Sequence, residues 1–160
     1  MPTVPRVCWS LELQIDYAKI SPRERYKLLV GSLVPRPVAL VSTVGLDGRH
    51  NAAPFSFFNA VSDEPPAVAI GVNSAPNHIK DTARNIRATG EFVVNLVDEP
   101  LAARMNLCAA EVPADQDEFE LSGLTPAAGV KVRAPRVVEA PISFECRRLV
   151  NVEIGVGRSV

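Results

Sequence analysis

The sequence predicts a mainly β domain with short helices, arranged as an antiparallel barrel rather than a parallel, doubly wound sheet. Three observations carry that prediction. Short β-branched and apolar stretches recur along the chain, as VALVSTV (38–44), AVAIGV (67–72) and EFVVNLVD (91–98). Asp47-Gly48 marks a tight turn between the first of these and a second extended segment beginning at Arg49. No long helical pattern separates the strands, as crossover helices in a parallel sheet would require.

Each element has its own local cause. Ser21 followed by Pro22, with Gly31 downstream, predicts a short N-terminal helix capped by Ser21, and Pro35-Arg36-Pro37 forbids its continuation. The stretch 38–44 is apolar enough for a strand buried on both faces. In NAAPFSFFNAVS (51–62) Pro54 removes a ladder donor while Phe55, Phe57 and Phe58 supply bulk, which predicts a strand that is bulged or peeled from its neighbour. Pro65-Pro66 punctuates, residues 67–72 form a third strand, and NSAPN (73–77) forms a loop. A helix over about 80–89 follows, with Asp81 or Thr82 available to cap its start and Gly90 placed to end it. The stretch 91–98 is the next strand.

LAARMNLCAA (101–110), with Pro100 before it, predicts a second packed helix in which Met105 is core. The acidic DQDEFELSG (115–123) carries one aromatic, Phe119, and reads as a solvated loop or helix turn. APISFECRRLVNVEIG (140–155) alternates Ile142, Phe144 and Cys146 against Ser143, Glu145 and Arg147, the period of a half-solvated antiparallel strand.

Composition narrows the function classes. The chain has 160 residues, 47% of them hydrophobic, enough for one domain with a real core. Its 17 basic and 18 acidic residues leave a formal charge of −1, so there is no electrostatic footprint of a nucleic-acid binder or a polybasic membrane anchor. No apolar run reaches the roughly 18 residues of a membrane span, and MPTVPRVCWSLELQ lacks the pattern of a secretory signal. A cytoplasmic protein is expected, with residues 1–16 a leader and 17–160 the domain. Cys8, Cys108 and Cys146 are far apart and read as buried or incidental thiols. His50 and His78 have no partner at metal-ligand spacing, so no protein-bound metal is expected.

Four segments, in order, resemble the flavin reductase-like, FMN-binding split-barrel family, of which flavoredoxin-type proteins are a branch. They are YKLLVGSLVPRPVALVST (26–43); DGRHNAAPFSFFNAVS (47–62) with Pro65-Pro66; KDTARNIRATGEFVVNLV (80–97); and MNLCA, DEFELSGLT and ISFEC between Met105 and Cys146. The likeness covers nearly everything from residue 20 onward. It implies an antiparallel split β-barrel, FMN as cofactor, NADH or NADPH as transient electron donor, and a homodimer. Residues 1–13 have no clear counterpart, and members of the family continue past the point where this sequence stops. The chain therefore resembles a C-terminally shortened member.

FMN needs apolar walls for its ring, partners for the ring's polar edge, and donors with positive charge for its phosphate. The resemblance places the flavin against the strand around 41–43 and the APFSFFN segment, which implicates Ser42, Thr43, Asn51, Ala53, Ser56 and Phe57. Phe55 and Phe58 read as core. Ser56 and Asn59 are polar groups in an apolar run and read as donors to the ring edge. Arg36, between two prolines, is a surface charge on the residues alone; the resemblance puts it near the flavin or the dimer contact. At the start of the helix over 80–89, Lys80 and Thr82, with Ser74 and Asn77 from the loop, suit an anion, and the resemblance makes that anion the phosphate. No residue is assigned as catalytic. The function implied is a flavin reductase linked to NADH or NADPH; a non-enzymatic FMN carrier or storage module, or a fragment that has lost the flavin, are the alternatives.

Overall fold

The computed structural model describes residues 13–73, 79–110, 116–154 and 158–159. The chain divides into two compact units, Met1–Pro35 and Arg36–Val160. In the first, a 3-10 turn at Tyr17–Lys19 precedes helix α1, Pro22–Ser32. The helix starts where expected because Ser21 and Glu24 form a reciprocal capping box: the Glu24 N–H donates to Ser21 Oγ at 3.3 Å and the Ser21 N–H to Glu24 Oε2 at 2.8 Å. The Ser21 hydroxyl also donates to that carboxylate, which holds Glu24 below the usual carboxylate range.

The second unit is built on a four-stranded antiparallel sheet. Strand β1 (Ala39–Val44) turns at Gly48, whose φ of 85° favours glycine, into β2 (His50–Phe55), with Thr43 opposite Asn51 and Ala39 opposite Phe55. Strands β3 (Phe58–Asp63) and β4 (Pro66–Ile70) form a separate hairpin, followed by the short β5 (Val72–Asn73). Helix α2 (Asp81–Thr89) ends at Gly90, φ 72°, and feeds β6 (Glu91–Leu96). Helices α3 (Glu99–Leu107) and α4 (Glu118–Ser122) precede the two-residue strands β7 (Pro126–Ala127) and β8 (Arg136–Val137). Strand β9 (Ser143–Arg147) then joins the main sheet, and β10 (Arg158–Ser159) pairs with β5. The main sheet has the order β2-β1-β6-β9. Its open, antiparallel form is that of a split barrel. No helix among the described residues is long and apolar enough to cross a membrane.

Alternation along the strands sorts the core into two layers. One face carries Ala39, Val41 and Phe55 with Phe92 and Val94, and packs under Ala83 and Ile86 of α2. The other carries Leu40 and Ala52 with Leu101, Cys108, Phe119 and Leu124 from the α3–α4 region. Because β1 lies between both layers, every one of its residues is buried, as its continuous apolar run requires.

Four expectations change. Residues 51–62 peel from their neighbour and carry a bulge near Ala60–Ser62, as expected, but as two strands: the chain bends at Ser56-Phe57, and β3 leaves β1 to pair with β4. The strand over 67–72 is interrupted at Gly71, where an added Cβ would lie 2.9 Å from Phe57 Cβ. Among the described residues of 140–155 the strand is shorter than expected, Ser143–Arg147 of β9. The acidic segment around Phe119 forms the helix turn but is only partly solvated, since Glu118, Phe119 and Ser122 of α4 are buried. Its polar sequence hides a tertiary anchor: Ser122 donates back to the Glu118 carbonyl at 2.6 Å, and Glu118 accepts from the Ala52 N–H at 3.3 Å. Met105 packs against the α3–α4 layer, as expected.

Candidate functional site

The β1–β2 register determines which of the candidate residues share a face. Thr43, Asn51 and Ala53 belong to the α2 side, with Phe55 at the end of the row. Ser42 points the other way. Its hydroxyl donates to the Pro135 carbonyl and accepts from Asn95 Nδ2 at 3.0 Å, so it is engaged within the opposite layer.

Helix α2 lies on the first face through paired polar groups. Asn51 Nδ2 donates to Thr82 Oγ1 and Asn85 Nδ2 to Thr43 Oγ1, each at 3.0 Å, and all four residues are buried. Thr82 is thus turned inward and does not cap the helix. Nor does Asp81, which pairs with Arg84 one turn on. The N-cap is Lys80, and no side chain caps the turn. Its N–H groups, with the positive end of the helix dipole, suit an anion. The Arg84 guanidinium offsets the Asp81 carboxylate that would otherwise oppose one.

Lys80 places its ammonium 6.0 Å from the centre of the Phe55 ring. Phe55 is the last residue of β2, so this contact joins the start of α2 to the bend at Ser56-Phe57. Ala53, Ser56 and Phe57 are half-buried there, and Asn59, on β3, is exposed. The Phe57 carbonyl accepts from the Gly71 N–H at 2.7 Å, which fixes the bend against the β4–β5 junction. Arg36 is half-buried at the start of the second unit. Ser74 and Asn77 lie outside the described residues, as do Cys8 and His78.

Phe55 lies in the core as expected and also meets Lys80, while Asn85 is the residue of this face that sequence reasoning missed. Asn85 had a signal: it stands three residues after Thr82, on the same side of a helix. Beyond Asp81 a polar recess is lined by His50, Asn51, Arg84, Asn85, Gln116 and Glu118. Burial pushes the Glu118 carboxyl up. Of the two thiols among the described residues, burial raises Cys108 and pushes Cys146 up to about 11, which disfavours the thiolate of each.

Comparison with known proteins agrees with this architecture. An Aquifex aeolicus protein of uncharacterised function is 50% identical over 123 residues, covering 76% of this chain and 63% of its own length. The FMN reductase (NADH) RutF of Ancylobacter novellus is 29% identical over 135 residues, covering 83% of this chain and 68% of that protein. Nitrilotriacetate monooxygenase component B from Bacillus cereus superposes with a TM-score of 0.90 at 37% identity, covering 93% of this chain and 76% of that one. The chain spans about two thirds of the length of the curated relatives it matches. Residues 30–159 match the family model described as the flavin reductase like domain, and the chain belongs to that family.

Proposed function

We propose that the chain binds FMN between the β2–β3 bend and the first turn of α2, and works as an oxidoreductase that passes electrons from NADH or NADPH through the flavin to a downstream acceptor. The observation that carries this reading is the uncapped α2 start with Lys80 beside Phe55. The residues present fit the three needs of the cofactor. Ala53 and Phe57 offer apolar surface, and the bend takes Ser56 and Phe57 out of the β1–β2 ladder, where polar groups can meet a ring edge. Lys80 and the α2 N–H groups meet a phosphate.

When bound, FMN supplies the two-electron redox chemistry, so the protein's part is to bind and tune. Ser56 and the backbone N–H groups at the bend would supply donors to the polar edge of the ring. Lys80 holds the phosphate end. The name of the Ancylobacter relative supports both FMN and NADH. A homodimer in the cytoplasm, with a second copy near the Phe-rich bend, completes the reading.

Purified protein should be yellow with flavin absorbance bands, and should oxidise NADH or NADPH. A yellow protein that oxidises neither is a carrier instead. Lys80→Ala should weaken FMN by about ten- to a hundredfold, the worth of one charge-assisted contact, and leave riboflavin, which lacks the phosphate, within about twofold. Equal losses for both ligands, or none for FMN, would sink the phosphate assignment.

A further inference from the structure

We infer that two buried side-chain pairs, Asn51 with Thr82 and Thr43 with Asn85, aim the first turn of α2 at the flavin phosphate, so that Asn51 and Thr82 are positioning residues rather than ligands. The inference rests on the proposed phosphate site at that turn. Thr43 and Asn51 face each other across the β1–β2 ladder, and Thr82 and Asn85 stand three residues apart on α2. The pairs therefore form two rungs, separated along the helix by about 4.5 Å.

Two rungs fix what the apolar contacts leave free. Ala83 and Ile86 hold α2 on the sheet, but burial of apolar surface has no preferred direction. Hydrogen bonds do have one, and a slide or roll of the helix would strain both rungs together. Lys80 stands two residues before Thr82, so any shift of Thr82 carries Lys80 and the turn's N–H groups with it. Burial argues against direct contact with a ligand. Thr82 is 1% exposed and Asn51 6%, and each already spends a polar atom on the other. Four polar side chains in an otherwise apolar interface also cost desolvation that aliphatic residues would avoid. Their return is a defined register.

The test measures FMN and riboflavin dissociation constants by flavin fluorescence, beside urea melts, for Thr82→Val, Asn51→Ala, the double variant, Thr82→Ser and Lys80→Ala. Each rung variant should bind FMN about fivefold more weakly, a loss near one neutral hydrogen bond, with riboflavin within about twofold. The double variant should match the singles, because both remove the same rung, and Thr82→Ser should restore FMN binding. A direct contact from Thr82 predicts otherwise: Asn51→Ala would then be silent, which overturns the inference. Native FMN binding by Thr82→Val, equal loss of both ligands, or no rescue by serine overturns it too. So does failure of both single variants to fold, since the rungs would then hold the fold rather than aim the helix. Selective loss in Lys80→Ala without loss in the rung variants would sink the positioning role alone; no selective loss in Lys80→Ala would sink the phosphate site beneath it.

Discussion

The two faces of the main sheet bury polar side chains in different ways. On the α3–α4 side, Asn95 is completely enclosed and uses its whole amide: Nδ2 donates to the Leu40 carbonyl and to Ser42 Oγ, each at 3.0 Å, while Oδ1 accepts from the Val137 N–H at 3.0 Å and Ser143 Oγ at 2.8 Å. One side chain there ties together β1, β6, β8 and β9. On the α2 side each pair joins one helical residue to one strand residue. The first arrangement specifies the fold, because its partners include backbone groups from segments distant in the chain. The second sets the placement of a single element.

Matched substitutions test that difference, since Asn95 and Asn85 both lose the same group on going to alanine. Asn95→Ala strands a buried N–H and leaves two hydroxyls short of a partner, and should lower stability by about 3 kcal/mol. Asn85→Ala removes one neutral side-chain pair and should cost about 1 kcal/mol. Urea midpoints at unchanged m-value would measure both. The comparison breaks if the two losses are equal, or if Asn95→Ala changes the ratio of FMN to riboflavin affinity.

How much of this was legible in the sequence depends on whether the cause was local. The α1 start follows from Ser21, Pro22 and Glu24, and the first hairpin from Asp47-Gly48, because these residues act on their own backbone. Strand β1 was legible as buried, but that same burial hid the division between Ser42 and Thr43. In a half-exposed strand, polarity marks the solvent face; in a strand covered on both sides, neighbouring hydroxyls look alike until the register is known. The break at Ser56-Phe57 was half legible, since Pro54 announces a weakened ladder but not the partner that β3 takes up. The burial of α4 was not legible at all. EFELS offers few apolar residues, and its place is decided by Glu118 meeting the Ala52 backbone and by His50 meeting the Phe119 ring at 5.7 Å, contacts made across the chain.

The smallest expected effect sharpens the contrast through two glutamates. Burial raises the Glu118 carboxyl above the usual range against the pull of its own N–H and that of Ala52, with Asp81 and Asp117 adding to the rise. Glu145 meets the N–H groups of Val130, Lys131 and Val132 at 2.5–3.2 Å, and these hold its carboxyl below that range. The two therefore give stability opposite slopes with pH. For Glu118 the folded state binds more protons than the unfolded one, so its contribution falls as pH rises from the unfolded value, about 4.5, through the raised folded value. For Glu145 the unfolded state binds more, so stability is present above about 4.5 and is lost as pH falls through the lowered folded value. Glu118→Gln, which keeps an acceptor for Ala52, should be slightly more stable than the native chain at pH 7, by less than about 1 kcal/mol, and equal to it at pH 4. Glu145→Gln should be the less stable of the two at pH 7, with its deficit shrinking in acid. Urea melts at both pH values would measure the slopes. Matching slopes for the two variants would mean that Glu118 gains more from its backbone N–H partners than it loses by burial, and the opposition between the two carboxylates would be absent.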